Sequence, residues 1–182
     1  MKSEMAELVG RLVAQQTEIY ELCDDDRRPV PHAPISAEAM RALEEFFAAR
    51  GGAIPPSYRI FLEVCDGIED FSFSYHIYGS QTLLAPSYAE LSAEVFEAGT
   101  GLTRDSALDL VLIGSHPETT TRLFIDLQHE PIDAGEAVLF DGDPGDLSLH
   151  PSFVAYMRMR VTANKMTIAQ LVAVRDGRLD DE

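Results

Sequence analysis

Apolar positions keep a helical rhythm at the start of the chain, switch to a strand rhythm in the middle, and then return to the helical one. Over residues 4–22, Met5, Leu8, Val9, Leu12, Val13, Gln16, Ile19 and Tyr20 recur at the 3.6-residue spacing of an amphipathic helix. Asp24-Asp25-Asp26-Arg27-Arg28, followed by Pro29, Pro31 and Pro34, ends that helix. Proline restricts the backbone and withholds a donor, so this stretch is expected to be an exposed connector. Ser36 can cap the next helix by accepting a hydrogen bond from a first-turn amide. Met40, Leu43, Phe46 and Phe47 form its buried stripe, and Gly51-Gly52 supplies the left-handed closure. Another helix starts at Pro55-Pro56, where a missing amide proton costs little. Tyr58, Phe61, Leu62 and Cys65 then fall at i, i+3, i+4 and i+7, and Gly67 is placed to end the helix.

Beyond Gly67 the period becomes two. Phe71, Phe73, Tyr75 and Ile77 alternate with Ser72, Ser74, His76 and Tyr78, which predicts one half-buried strand with Phe71, Phe73 and Tyr75 in the core. A short helix is expected over residues 87–98, with Tyr88, Leu91, Val95 and Phe96 inward. Strands follow over residues 108–113, 122–127 and 136–140, all rich in β-favouring residues. Asp141-Gly142-Asp143-Pro144-Gly145-Asp146 reads as a tight acidic turn. Ser152 then caps a helix carrying Phe153, Tyr156, Met157 and Val161, and Thr167 opens a last short helix that runs to Val174. Helices, a run of strands and closing helices predict an α+β domain, its sheet mostly antiparallel (mixed), with helices packed on one face. The organisation expected is an N-terminal helix and Pro-rich connector (1–35), a central domain (36–164) and a C-terminal extension (165–182).

Charge narrows the range of partners. Fourteen Lys and Arg against 31 Asp and Glu give a formal charge of −17. Phosphate-backbone binding needs clustered cations, so direct nucleic-acid binding is not expected. Adsorption to anionic membranes is disfavoured for the same reason, and no apolar run approaches the roughly 18 residues that would span a bilayer. Electrostatic steering favours a basic protein partner. Two distant cysteines, Cys23 and Cys65, fit neither a zinc site nor a secreted disulfide framework. The N-terminus lacks the pattern of a signal peptide. These features lead to the expectation of a cytoplasmic protein, a monomer or weak homodimer, without cofactor or metal.

No residues form a clear catalytic constellation. Asp141, Asp143 and Asp146 lack the ordered ligand series and closing glutamate of a calcium loop. The histidines His32, His76, His116, His129 and His150 show no metal-binding spacing. Ser80 and Ser115 both follow glycine, but neither lies in a nucleophile elbow. His116 and Asp126 could meet across neighbouring strands, so a hydrolase using Ser115, His116 and Asp126 is the enzymatic alternative. The rings of Phe71, Phe73, Tyr75 and Tyr78 resemble a base-stacking platform, but Glu69 and Asp70 precede them where such platforms carry cations.

Ile54-Pro55-Pro56-Ser57-Tyr58-Arg59-Ile60-Phe61-Leu62, followed by Asp66-Gly67, resembles the leucine-proline, tyrosine, phenylalanine-leucine and asparagine-glycine signature of the SUKH superfamily. Ile54 replaces the usual leucine, and Asp66 stands where asparagine is common. Leu112-Ile113-Gly114-Ser115, Leu123-Phe124-Ile125-Asp126-Leu127, Glu136-Ala137-Val138-Leu139-Phe140-Asp141 and Pro151-Ser152-Phe153-Val154-Ala155-Tyr156-Met157 follow in the family's order. Together the blocks cover residues 37–161. The resemblance implies a SUKH-like fold and a non-enzymatic binding protein. The superfamily includes a fungal cell-wall synthesis regulator and bacterial immunity proteins, which capture polymorphic toxins. Many of those toxins are nuclease-type enzymes with basic surfaces. A regulatory scaffold that recruits a cellular partner is the alternative. The candidate contacts are Glu69, Asp70, Asp141, Asp143 and Asp146, with Tyr78 as an exposed aromatic.

Overall fold

In the computed structural model, every strand pairs with the strand that follows it in the chain. β1 (Val30–Pro31), β2 (Ile68–Ser72), β3 (Tyr75–Ile77), β4 (Leu110–Ser115), β5 (Arg122–Asp126), β6 (Val138–Asp143) and β7 (Asp146–His150) form one antiparallel meander in that order. The helices are α1 (Lys2–Leu22), α2 (Ala37–Ala48), α3 (Pro56–Val64), α4 (Ser80–Leu83), α5 (Tyr88–Glu97) and α6 (Phe153–Arg175). The structure describes residues 1–73, 75–97, 110–117, 119, 121–128, 136, 138–143 and 146–178. Ser74, Ala98, Leu108, His129, Ala137, Pro144, Gly145 and the tail 179–182, all used in the sequence reading, lie outside the described residues.

The class is α+β, as the change of rhythm predicts. Ser36 caps α2 by accepting from the Ala39 amide at 3.1 Å, and Gly51 follows the helix with φ +79°. Pro56 is the first residue of α3, which buries Tyr58, Phe61 and Leu62 completely. Burying side chains of this size contributes about 2 kcal/mol each. Tyr58, Phe61 and Phe153 form an aromatic knot where α3 meets α6. Met5, Leu8, Val9 and Leu12 of α1 join the same hydrophobic cluster, so the first helix is packed into the core. Cys65, at the end of α3, is buried and donates its thiol to the Gly67 carbonyl; burial pushes that thiol up to about 11. Cys23 is exposed.

Several elements depart from expectation. The single strand expected over residues 71–78 is a hairpin, β2 and β3, closed by the pair Ser72–Tyr75. Phe73 lies at its tip with φ +45° and is 39% exposed, so it is not a core residue. The connector is not wholly free of structure: Val30 and Pro31 pair with Glu69 and Ile68 at the sheet edge, where proline is tolerated. The expected acidic turn is part of a hairpin, with Asp141 and Asp143 in β6 and Asp146 opening β7.

The last two expected helices are one. Thr167 does not cap a new helix, because its hydroxyl donates to the Ala163 carbonyl one turn back within α6. No element boundary therefore falls at residue 164. The centre of the sheet is covered on both sides. Leu123, Phe124 and Ile125 are consecutive in β5 and all buried; since successive side chains alternate, both faces of the sheet centre are covered.

Candidate functional site

Two serine–carboxylate clasps fix the frame around α3. The Ser57 amide donates to Glu136 Oε1 at 3.0 Å, and its hydroxyl donates to Oε2 of the same carboxylate. A buried acid thus lies at the positive N-terminal end of α3, where its charge is favoured. Ser57 Oγ in turn accepts from the Val154 amide in the first turn of α6. Asp66 repeats the arrangement: one oxygen accepts from the Ser80 amide at 2.7 Å and the other from the Ser80 hydroxyl. Only glycine fits at position 79, since a Cβ there would overlap the Asp66 carbonyl. Tyr58 adds a third tie by donating its hydroxyl to the Tyr78 carbonyl at 2.7 Å.

These ties hold the start of β2 and the exit of β3 against each other, and a cleft opens between them. His32, Glu69, His76, Ile77, Tyr78, Gly79 and Thr82 line its volume of about 230 Å³. His32 Nε2 lies 3.0 Å from Glu69 Oε1, holding an exposed carboxylate at the rim. Asp70 has φ +49° in a strand whose register shifts between Ile68 and Ser72. That irregularity turns its amide towards His76, whose Nδ1 accepts at 3.2 Å. With Nδ1 occupied, Nε2 carries the proton of the neutral ring. The Asp70 carbonyl accepts from the Tyr20 hydroxyl. Tyr20 also carries Phe73 edge-on, with 5.5 Å between ring centroids, and the Arg27 guanidinium 5.3 Å from its ring centre.

The candidate contacts do not converge on one patch. Glu69 is exposed and Asp70 half-buried on β2, whereas Asp141, Asp143 and Asp146 belong to β6 and β7. Three strands separate β2 from β6, a distance of roughly 19 Å at ordinary strand spacing. Tyr78 is not an exposed aromatic: it is 8% exposed, and its hydroxyl is hydrogen-bonded to Ser115 Oγ. Burial raises its pKa, opposed by the Ser115 hydrogen bond and the nearby Arg122 charge. The exposed ring on this side of the molecule is Phe73. The two serines around it, both at home in turns, were the signal for a hairpin in place of a continuous strand.

The hydrolase grouping is not assembled. Ser115 faces Arg122 across β4 and β5, while Asp126 faces Leu110 at the far end of the same pair. Five residues of strand put His116 and Asp126 roughly 15 Å or more apart. His116 Nδ1 instead accepts from the Thr119 amide, and Ser80 is held by Asp66 with no histidine in the clasp. Arg122 is buried, with Nη1 donating to the carbonyls of His116, Thr119 and Thr121. Among the described residues no group of three or more His, Cys, Asp or Glu could hold a metal ion, and no helix is long and apolar enough to cross a membrane.

Charge is unevenly distributed along the sequence. Residues 90–146 contain thirteen of the carboxylates, with Arg104 and Arg122 as their only lysine or arginine. Helix α6 has no Asp or Glu and carries Arg158, Arg160, Lys165 and Arg175. Several cations are held in internal pairs, including Lys2–Glu63, Arg59–Glu44, Arg27–Asp25 and, from α6, Arg158–Glu4. The Arg27 pair holds the Asp25 carboxyl below its usual range. Comparison with protein-family models and with curated proteins finds no match for the chain.

Proposed function

We propose that this chain is a non-enzymatic binding protein of the immunity type, acting in the cytoplasm by direct capture of a basic, nuclease-type toxin domain. The observation that carries the reading is Phe73. Phe73 combines a left-handed backbone, which costs a bulky residue about 1 kcal/mol, with a ring that keeps 39% of its surface exposed. An aromatic kept on display at such a cost is what a contact anchor requires. The acids supply the second component. Glu69 and Asp70 lie on the first strand of the hairpin, and the formal charge of −17 gives the chain a negative field, which speeds encounter with a basic surface. The ordered blocks that resemble the SUKH superfamily agree with this role.

Co-expression with the product of the adjacent gene, followed by co-purification and growth rescue from its toxicity, tests the proposal. A stable complex that protects the cell is the expected result. Absence of both complex and rescue removes the immunity reading for that pair. Association should slow at least tenfold between low and high salt; an on-rate insensitive to salt removes the steering component.

A further inference from the structure

We infer that the His32–Glu69–His76 cleft is the seat for one arginine of a basic protein partner, an assignment that rests on the binding role proposed above. Its volume of about 230 Å³ suits a single long side chain. Its lining mixes polar groups with the apolar residues Ile77 and Tyr78, a combination along which an arginine stem can lie. At the rim stands one carboxylate, Glu69, oriented through one oxygen by His32. A guanidinium matches a carboxylate better than an ammonium does, because it presents paired donors in a plane. His76 supplies a complementary group. Its Nδ1 is taken by the Asp70 amide, so the donor left for a ligand is Nε2–H, which suits a backbone carbonyl of the same bound segment. Arg27, the cation near Asp70, is engaged with Asp25 and Tyr20 and does not line the cleft. The site is therefore matched to a ligand with a cationic end and a carbonyl.

The test uses the full ¹⁵N-labelled chain titrated with Nα-acetyl-arginine amide, and with Nα-acetyl-citrulline amide as its uncharged isostere. Saturable amide shifts confined to Ile68–Ser72, Tyr75–Ile77, Gly79 and Thr82 are expected with the arginine probe. At least tenfold weaker binding is expected for citrulline, and for the arginine probe on the Glu69→Gln protein. Thr82→Arg, on the rim, should block the probe without disturbing the clasps, as judged by an unchanged thermal midpoint. Shifts spread over the carboxylates of residues 90–126, or equal binding by the Glu69→Gln protein, would overturn the assignment. Local binding of the probe without any complex with the adjacent gene's product upholds the cleft while removing the immunity role for that pair. A toxin complex indifferent to Glu69→Gln and Thr82→Arg overturns the cleft while leaving that role intact.

Discussion

The clasped region around α3 and the β2–β3 hairpin adjoin each other, yet they use polar groups in opposite ways. In the clasps, Glu136 and Asp66 are buried, and each accepts from both the amide and the hydroxyl of one serine. In the hairpin, Glu69 stays at the surface, Asp70 and Phe73 take left-handed backbone, and a ring remains exposed. The first region spends its acids on holding elements together. The second keeps its chemistry available and accepts local strain to do so. Resemblance to a family is concentrated in the first, whereas the features that could recognise a partner lie in the second.

Substitutions should separate the two regions clearly. Gly79→Ala should be the most damaging, because its Cβ must displace the Asp66 backbone; a loss of more than about 3 kcal/mol is expected in urea unfolding. Tolerance of alanine there would show that the clasp yields. Glu136→Ala strands the buried Ser57 amide and hydroxyl, and about 2–3 kcal/mol should be lost in the same measurement.

His150 gives a smaller, pH-dependent contrast, because it is a buried group without the partners that Glu136 and Asp66 enjoy. Its Nε2 has no hydrogen-bond partner, and burial, with Arg160 nearby, lowers its pKa. The unfolded chain therefore binds the proton more readily than the folded one. Stability should be fully present above about pH 6.5 and decline as pH falls below it, by about 1 kcal/mol or less. His150→Gln should flatten that part of the profile, followed by thermal unfolding between pH 7 and pH 5.

Phe73→Gly should have the smallest effect on folding. Relief of the left-handed backbone and loss of the Tyr20 contact nearly cancel, leaving the unfolding free energy within about 1 kcal/mol of the parent. Affinity for the toxin partner should nevertheless fall at least tenfold. A protein destabilised by several kcal/mol with unchanged affinity would make Phe73 a structural residue and erase the contrast.

The clasped region was the more legible of the two in sequence. Ser36, Pro56, the stripe Tyr58-Phe61-Leu62 and Gly51 act through local spacing, so their roles could be inferred from neighbours a few positions away. Glu136 and Ser57 lie 79 positions apart, and no local pattern announces their contact. The hairpin misled for a different reason. Phe71, Phe73, Tyr75 and Ile77 obey the alternation of one strand, yet Ser72 pairs with Tyr75 and Phe73 between them takes left-handed backbone. Two expected helices read as separate because Thr167 looks like a cap until its hydroxyl is seen bonding backwards. His32 joined the cleft unannounced, since the proline-rich connector concealed a strand that places it beside Glu69.

That short strand, β1, has a further consequence. It is two residues long, and one of them, Pro31, has no amide proton to offer. An unpaired strand edge is a template on which other chains can assemble, whether as aggregates or as docked peptides. Here the template is too brief and too poor in donors to be copied. At this margin a visiting protein can be greeted by side chains, but it cannot be woven into the sheet.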